Sequence, residues 1–224
     1  MSLNDRATVR RLPQRGAYDA DTIHAILDAG FLAHVGFCVE GQPFVIPSLY
    51  GRVRDAGTGP DKLCLHGSAA SRMLRELSRG VPACLTVTHV DGIVLARSAF
   101  HHSMNYRSVV AFGTARQIDD VQGKAEALRV ISDHLIAGRW EEVRNPTAKE
   151  LKATSVLEFT IEEASAKTRS GPPVDDEEDY SLPVWAGVVP LHLRAAAPLK
   201  DPRLEHDLTI PEYVRQFQAN GDGS

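Results

Sequence analysis

Residues 31–50 read Phe31-Leu32-Ala33-His34-Val35-Gly36-Phe37-Cys38-Val39-Glu40-Gly41-Gln42-Pro43-Phe44-Val45-Ile46-Pro47-Ser48-Leu49-Tyr50. Phe31 to Val39 and Phe44 to Tyr50 are rich in β-branched and aromatic residues, and Glu40-Gly41-Gln42-Pro43 between them predicts a hairpin whose second strand enters at Pro43. Upstream the period is helical. Asp19 or Asp21 caps a short helix with Ile23, Ile26 and Leu27 on one face, and Gly30 is expected to supply a left-handed stop. Downstream, a Gly/Pro/Asp loop over residues 55–61 leads to a strand from Lys62 to His66. A helix from Ser68 to Leu77 follows, with Met73, Leu74 and Leu77 on one side, and Gly80 stops it.

Pro82 to Val90 and Ile93 to Arg97 read as a second hairpin about Asp91-Gly92, the strongest short turn signal in the chain. A loop from Ser98 to Asn105 precedes a long strand from Tyr106 to Ile118. A helix over Val121 to Ile136 then places Ala125, Leu128, Ile131 and Leu135 on one stripe, and another begins near Pro146 or Thr147. Ser155 to Ile161 alternates as a strand. From Ser165 the chain turns polar, and Pro172-Pro173 with the acidic run Asp175 to Asp179 read as a solvated loop or flap. Val184 to Leu191 is a late apolar segment without an evident strand partner, and Pro211 to Phe217 is a final helix. Short strands in hairpins interrupted by helices, without a βαβ rhythm, predict a mainly β, antiparallel barrel with peripheral helices.

The chain has 224 residues, 43% of them hydrophobic, with 25 Lys+Arg against 29 Asp+Glu. That is material for one domain, with a core at about residues 20–191 and residues 192–224 as a C-terminal extension. A net charge of −4 argues against a nucleic-acid partner, which needs a basic stripe. No run approaches the roughly 18 apolar residues of a membrane span, and residues 1–15 lack the apolar centre of a signal peptide, so the expected location is cytoplasmic and no membrane is expected. Cys38, Cys64 and Cys84 are too far apart for a metal clip and sit in apolar runs, where a thiol packs as a small buried hydrophobe. Dinucleotide, NTPase, hydrolase and zincin motifs are absent.

Three clusters offer chemistry. His66-Gly67-Ser68 and Ser71-Arg72 join a strand end to a helix start, where unpaired N–H groups, hydroxyls and a cation suit a phosphate; Ser68 as a simple helix cap is the competing reading. Asn105-Tyr106-Arg107-Ser108 opens a long apolar strand, as a ligand contact or as a barrel rim. Trp185 covers a flat ligand or closes the core. His101 and His102 are adjacent, so on a strand they face opposite ways and no metal site is expected. One of them, or Tyr106, is a candidate proton donor. His34, His89 and His134 fall in strand or helix patterns and read as structural.

In order, these pieces resemble the flavin-nucleotide-binding branch of the pyridoxamine 5′-phosphate oxidase-like superfamily, near the nitroimidazole-resistance proteins. The words that carry the likeness are Pro43 to Tyr50, Leu63-Cys64-Leu65-His66-Gly67-Ser68 with Ser71-Arg72, Tyr106 to Gly113, Gly138-Arg139-Trp140, Ser165 to Arg169, and Pro183 to Pro190, spanning about residues 20–191. The resemblance implies a split β-barrel of the FMN-binding type, and a homodimer with FMN in each of two clefts between subunits. It implies that Ile46, Pro47, Ser48, Leu49 and Tyr50 run along the flavin with backbone contacts, and that His66, Gly67, Ser68, Ser71 and Arg72 meet its phosphate and ribityl chain. Arg107 and Ser108 would reach the ring, and Trp185 would close the cleft. The implied activity is an FMN-dependent oxidoreductase acting between small-molecule electron donors and acceptors. A non-catalytic flavin store or sensor, or a barrel holding a deazaflavin or haem with an axial histidine, are the alternatives. The chain departs from the oxidases at Met73, where they carry a second phosphate cation, and in ending Gly221-Asp222-Gly223-Ser224. Pyridoxamine-phosphate oxidation is therefore not carried over.

Overall fold

A computed structural model describes residues 5–54, 59–206 and 208–217. The strands are β1 (Gly16–Ala17), β2 (Leu32–Val39), β3 (Gln42–Arg52), β4 (Lys62–Ser68), β5 (Ala83–Leu95), β6 (Ser103–Gln117), β7 (Thr154–Arg169) and β8 (Gly187–Pro190). The helices are α1 (Ala20–Ala29), α2 (Arg72–Leu77), α3 (Val121–Leu135), α4 (Arg139–Glu142), α5 (Ala148–Ala153) and α6 (Glu212–Arg215). All pairings are antiparallel, in the order β7-β4-β3-β2-β5-β6, and β6 returns to β7 to close a six-stranded barrel. β1 adds to β7 and β8 to β5. Among the described residues no helix is long and apolar enough to cross a membrane.

The β2–β3 hairpin forms about a two-residue turn. Glu40 and Gly41 both have positive φ, 49° and 81°, the primed-turn geometry that matches strand twist, so Gln42 and Pro43 already belong to β3. Inside the barrel, Val35, Leu63, Leu65, Leu85, Val109 and Phe159 are fully buried. Ile23, Ile26 and Leu27 of α1 and Met73, Leu74 and Leu77 of α2 join the same core. Asp19 caps α1, accepting from Thr22 N at 2.8 Å. α3 packs outside the barrel, with Ala127 and Ile131 against Cys64 and Val156. Thr147 and Glu150 form a capping box at the start of α5.

Several sequence expectations need correcting. Asp91-Gly92 makes no hairpin: β5 runs straight through it, and Asp91 is an extra residue between Val90 and Gly92 in the ladder to β6, a β-bulge. Glycine is required at 92 because a Cβ there would lie 2.9 Å from Val188 Cγ1 of the adjoining β8. Gly30 is extended (φ −110°) rather than left-handed; a side chain there would strike Val87 Cγ1 at 2.8 Å. Ser68 is the last residue of β4, and the α2 cap is Ser71, with the helix starting only at Arg72. Residues 165–169 are not loop but the end of β7, paired with both β1 and β6. Cys38 is exposed because it lies on the outward side of β2. The final helix is shorter than expected, Glu212–Arg215, and residues 55–58 of the first loop and 221–224 lie outside the described residues.

Two contacts lock the α1, β3 and α3 corner. Arg52 donates from Nε and Nη2 to Asp28 at 2.6 Å each. Burial works to raise the Asp28 carboxyl, but the hydrogen bonds and charge of Arg52 overcome it and hold the group below the usual carboxylate range. His134 Nε2–H donates to Gly30 O at 2.7 Å while its ring lies 4.8 Å from that of Tyr50.

Gly51 seats α3: a Cβ would fall 2.7 Å from Ile131 Cα and 2.8 Å from Val130 O. Gly51→Ala should therefore cost about 2 kcal/mol by overpacking, measured as a lower urea midpoint with unchanged slope. The Asp28 pKa lies lower folded than unfolded, so its contribution is complete above about pH 5 and disappears as pH falls from about 4 through the folded value. Acid titration of stability should be shallower in Asp28→Asn than in the unsubstituted protein below pH 5.

Candidate functional site

Unequal pairing opens the barrel in two places. β3 pairs with β2 over Gln42 to Leu49 but with β4 only over Tyr50 to Arg52, while β4 goes on to Ser68 beside β7. The β3 backbone from Phe44 to Leu49 therefore has no strand on its β4 side. Side-chain exposure shows the opening directly: Val35 is fully buried, yet its cross-strand neighbour Ile46 on the same face is 39% exposed. Val45 and Leu49 are also exposed, an apolar edge with unpaired peptide groups.

Facing this edge lie the end of β4 and the start of α2. The Arg72 guanidinium sits 5.1 Å above the Phe44 ring, and Phe44 stacks on Phe37 at 5.5 Å. The Ser71 hydroxyl accepts from Leu74 N at 3.5 Å and the Ser68 hydroxyl from Ala70 N at 3.2 Å. Gly67 is explained by packing, since a Cβ would meet Leu74 Cδ1 at 3.1 Å. His66 differs from these. Its Nδ1 is buried without a hydrogen-bond partner, and burial pushes its imidazole pKa down. A neutral ring with an unsatisfied polar atom is costly unless a ligand completes it. Tyr50 is given over to the fold: it is buried, its hydroxyl donates to Leu27 O at 2.5 Å, and burial raises its pKa.

The second opening lies between β2 and β5, which pair only over His34 to Phe37 and Ala83 to Thr86. A cavity of about 240 Å³ occupies the gap, lined by Phe31, Leu32, His34, His89, Arg107 and Leu193 among others. Arg107 donates from Nε and Nη2 to Asp91 at 3.0 and 2.8 Å. His89 Nε2–H donates to Ile26 O at 3.0 Å. Ser108 turns to the other face of β6, donating to Lys167 O at 3.2 Å.

The expected site residues thus fall into three groups. Ile46 to Leu49 and His66 to Arg72 come together at the β3 edge. Arg107 and Ser108 lie on β6, three strands from β3, or roughly 14 Å along the sheet. Trp185, 66% exposed, lies against Gly187, where a Cβ would come within 2.9 Å of the indole. The three alternative candidates for a proton donor are His101, His102 and Tyr106. His101 pairs with Asp176 at 3.2 Å, His102 Nδ1–H donates to Ser98 O at 2.9 Å, and Tyr106 lies in the β6 ladder between Val90 and Arg169. The acidic run also departs from expectation. Asp175 is buried, accepting from Arg97 N at 2.8 Å and Arg97 Nη1 at 3.0 Å; burial opposes its charge, but these bonds hold its pKa down.

Sequence reading missed Asp91 and His34. The Asp-Gly pair disguised Asp91 as a turn residue, and the strand pattern made His34 structural, although it is exposed at the cavity wall. The signal available was Arg107, a cation in an apolar strand that needs a carboxylate nearby.

Comparison with known proteins follows the same lines. The sequence profile of the family described as pyridoxamine 5′-phosphate oxidase matches residues 19–168. The flavocytochrome Anf3 from Azotobacter vinelandii is 45% identical, with a TM-score of 0.87 over 96% of this chain and 97% of that one. An FAD and heme binding protein from Mycobacterium smegmatis is 38% identical, with a TM-score of 0.84 over 91% of this chain and 97% of that one. A 5-nitroimidazole antibiotic resistance protein, so described, from Bacteroides thetaiotaomicron shares the fold at 22% identity and a TM-score of 0.55 over 68% of this chain and 86% of that one. No curated protein matches. With a barrel split beside β3 and beside β5, and with a family profile covering most of its length, the chain belongs to the pyridoxamine 5′-phosphate oxidase family.

Proposed function

We propose that this protein is a flavin-nucleotide-dependent redox protein, working as a dimer of identical chains, and that it also holds haem. The observation that carries the flavin reading is the open β3 edge beside the orphaned Nδ1 of His66. A planar, amide-edged heterocycle suits both, taking backbone hydrogen bonds from Ile46 to Leu49 and covering Ile46. Bound flavin would supply the electron transfer chemistry. The protein's residues orient the ring, keep water from its face and present a neutral imidazole. Ser68, Ser71 and Arg72 are the anchors proposed for the phosphate side. All three are already engaged, Ser68 with Ala70 N, Ser71 with Leu74 N and Arg72 with Phe44. That leaves a thin monophosphate cradle and favours FAD, which the Mycobacterium relative is named for, over the FMN expected from sequence.

Two copies are needed to assemble the whole set. Arg107, Ser108 and Trp185 reach a ring at the β3 edge only from a second chain, given the three-strand separation. The outward positions Val45, Pro47 and Leu49, then Leu32 and His34, then Thr86 and Thr88, lie side by side on β3, β2 and β5. None of them is charged, which supports a face that pairs with itself.

Haem rests on a separate observation. It needs an apolar slot and an imidazole free to ligate iron. His24, His89, His101, His102 and His134 are committed to hydrogen bonds. His34 has none among the described residues, and it opens onto a cavity walled by Phe31, Leu32, Leu191 and Leu193. At about 240 Å³ this cavity is smaller than the roughly 300–1,000 Å³ of a cofactor pocket, so its open side requires a second copy. His34 would hold the haem iron through its imidazole, and Phe31, Leu32, Leu191 and Leu193 would lie against the macrocycle.

Acid precipitation of the purified protein should release flavin that chromatographs as FAD, and anaerobic NADH or NADPH should bleach it. A colourless protein that gains no thermal stability from FAD or FMN rules the flavin reading out, and flavin that stays oxidised indicates a carrier. Arg72→Ala should weaken flavin nucleotides more than riboflavin in fluorescence titration; equal losses would remove Arg72 from the phosphate. On adding hemin, a Soret band should appear that His34→Ala abolishes and that free imidazole restores to His34→Gly. A Soret band unaffected by both substitutions places the iron elsewhere.

A further inference from the structure

After β8 the chain leaves the barrel at Leu191 and Leu193 and continues as an exposed arm. Every described residue from 189 to 210 is exposed, yet Leu191, Leu193, Leu199, Leu204, Leu208 and Ile210 lie within this stretch. Leu199 is 94% exposed, Leu193 64% and Leu208 61%. Disordered tails are poor in large aliphatic residues, so this composition is not that of a solvated linker.

The segment is also shaped. Its start is fixed where Leu191 N–H donates to Asp91 O at 3.1 Å. Its tip is a turn at Asp201-Pro202-Arg203-Leu204, with Arg203 N donating to Asp201 Oδ1 at 2.8 Å and Leu204 N to Asp201 O at 3.0 Å. Its far end is fixed at α6, where the Tyr213 hydroxyl donates to Glu142 Oε2 at 2.5 Å and accepts from Arg139 Nη1 at 3.2 Å. Pro190, Pro198, Pro202 and Pro211 stiffen it and reduce the entropy lost on ordering. Within the arm Leu208 N–H also donates to His206 O at 2.9 Å. Tied at both ends and turning at Asp201, its limbs of about ten residues each could reach roughly 33 Å from the barrel, about the roughly 30 Å diameter of a small domain.

We propose that residues 193–210 form a clasp that lies on a second copy of this chain. The inference rests on the reading that two copies associate, and it deepens that reading by naming a covering element. The occupant is argued from continuity: Leu191 and Leu193 already line the cavity whose other wall carries Leu32 and His34. The uncharged outward faces of β2 and β3 continue from there. An arm tied at both ends, lined with leucine and starting at the rim of that face, is placed to cover the same face of a neighbour. The partner's arm would do likewise, as two-fold symmetry requires.

The test uses the full-length protein. Leu199→Asp with Leu208→Asp changes two side chains that a single copy leaves in water, so thermal unfolding at low concentration should not change. The dimer dissociation constant from sedimentation should rise at least ~10-fold, as for loss of an interface anchor. A photo-cross-linking side chain at position 199, in a mixture of light and heavy isotope-labelled chains, should give mixed-isotope peptides containing β2 or β3 residues. A dimer that ignores the double substitution and cross-links only within one chain overturns the clasp while the dimer stands. An unsubstituted protein that sediments as a monomer at ~100 μM, where an interface of even micromolar strength would be filled, overturns both.

Discussion

A closed barrel is only as continuous as its shortest strands allow, and here the lengths do not match. β5, β6 and β7 have 13, 15 and 16 residues, against 8 in β2 and 7 in β4. The three long strands pair with one another over most of their length and carry the closure from β6 to β7. The openings are places where neighbouring strands diverge before they end: β3 loses β4 beyond Tyr50 although β4 continues beside β7 to Ser68, and β5 loses β2 beyond Thr86 although β2 continues beside β3 to Leu32. Unpaired peptide groups are tolerated in a folded protein only where something else satisfies them. The candidate site is therefore a consequence of strand divergence before it is a matter of particular side chains.

Around those openings the rest of the molecule is held rigid by contacts that do not enter the site. Arg52 on Asp28, His134 on Gly30, and α3 against Gly51 fix the corner from which β3 departs. Asp175, buried on Arg97, pins the loop before β8. Buried ion pairs contribute little net stability, but each of these specifies one arrangement of elements distant in sequence. The openings thus have stiff rims, which is the condition for a site to be preorganised.

Much of the fold was legible in the sequence. The Phe31 to Tyr50 hairpin, the α1 stripe and a helix start near Thr147 are local signals, and they formed as read, whereas α3 buries Ala127 and Ile131 rather than the whole expected stripe of Ala125, Leu128, Ile131 and Leu135. What failed was non-local. Asp91-Gly92 carries a strong local turn preference, but β8 and β6 on either side hold β5 straight and convert the pair into a bulge. Residues 165–169 look polar, yet none is exposed: Ser165, Ala166 and Arg169 are buried where β7 lies between β1 and β6. The segment His66 to Arg72 was readable as a ligand-facing cluster, whereas the isolation of Arg107 from it depends on how many strands lie between, which no local pattern states. The exposure of His34 at the cavity wall was hidden for the same reason: strand periodicity gives two faces but does not say which one faces the cavity.

The bulge at Asp91 also sets the parity of everything that follows it in β5. Before it the odd-numbered Ala83, Leu85 and Val87 face the core; after it the even-numbered Val94 and Ala96 are the buried ones. One residue of insertion inverts the inside and outside of a strand. In comparing related sequences, an alignment that omits the gap for a relative without the bulge would match core residues to surface residues for the remainder of β5. The position is therefore a reading-frame mark for the barrel, whatever side chain a relative carries there.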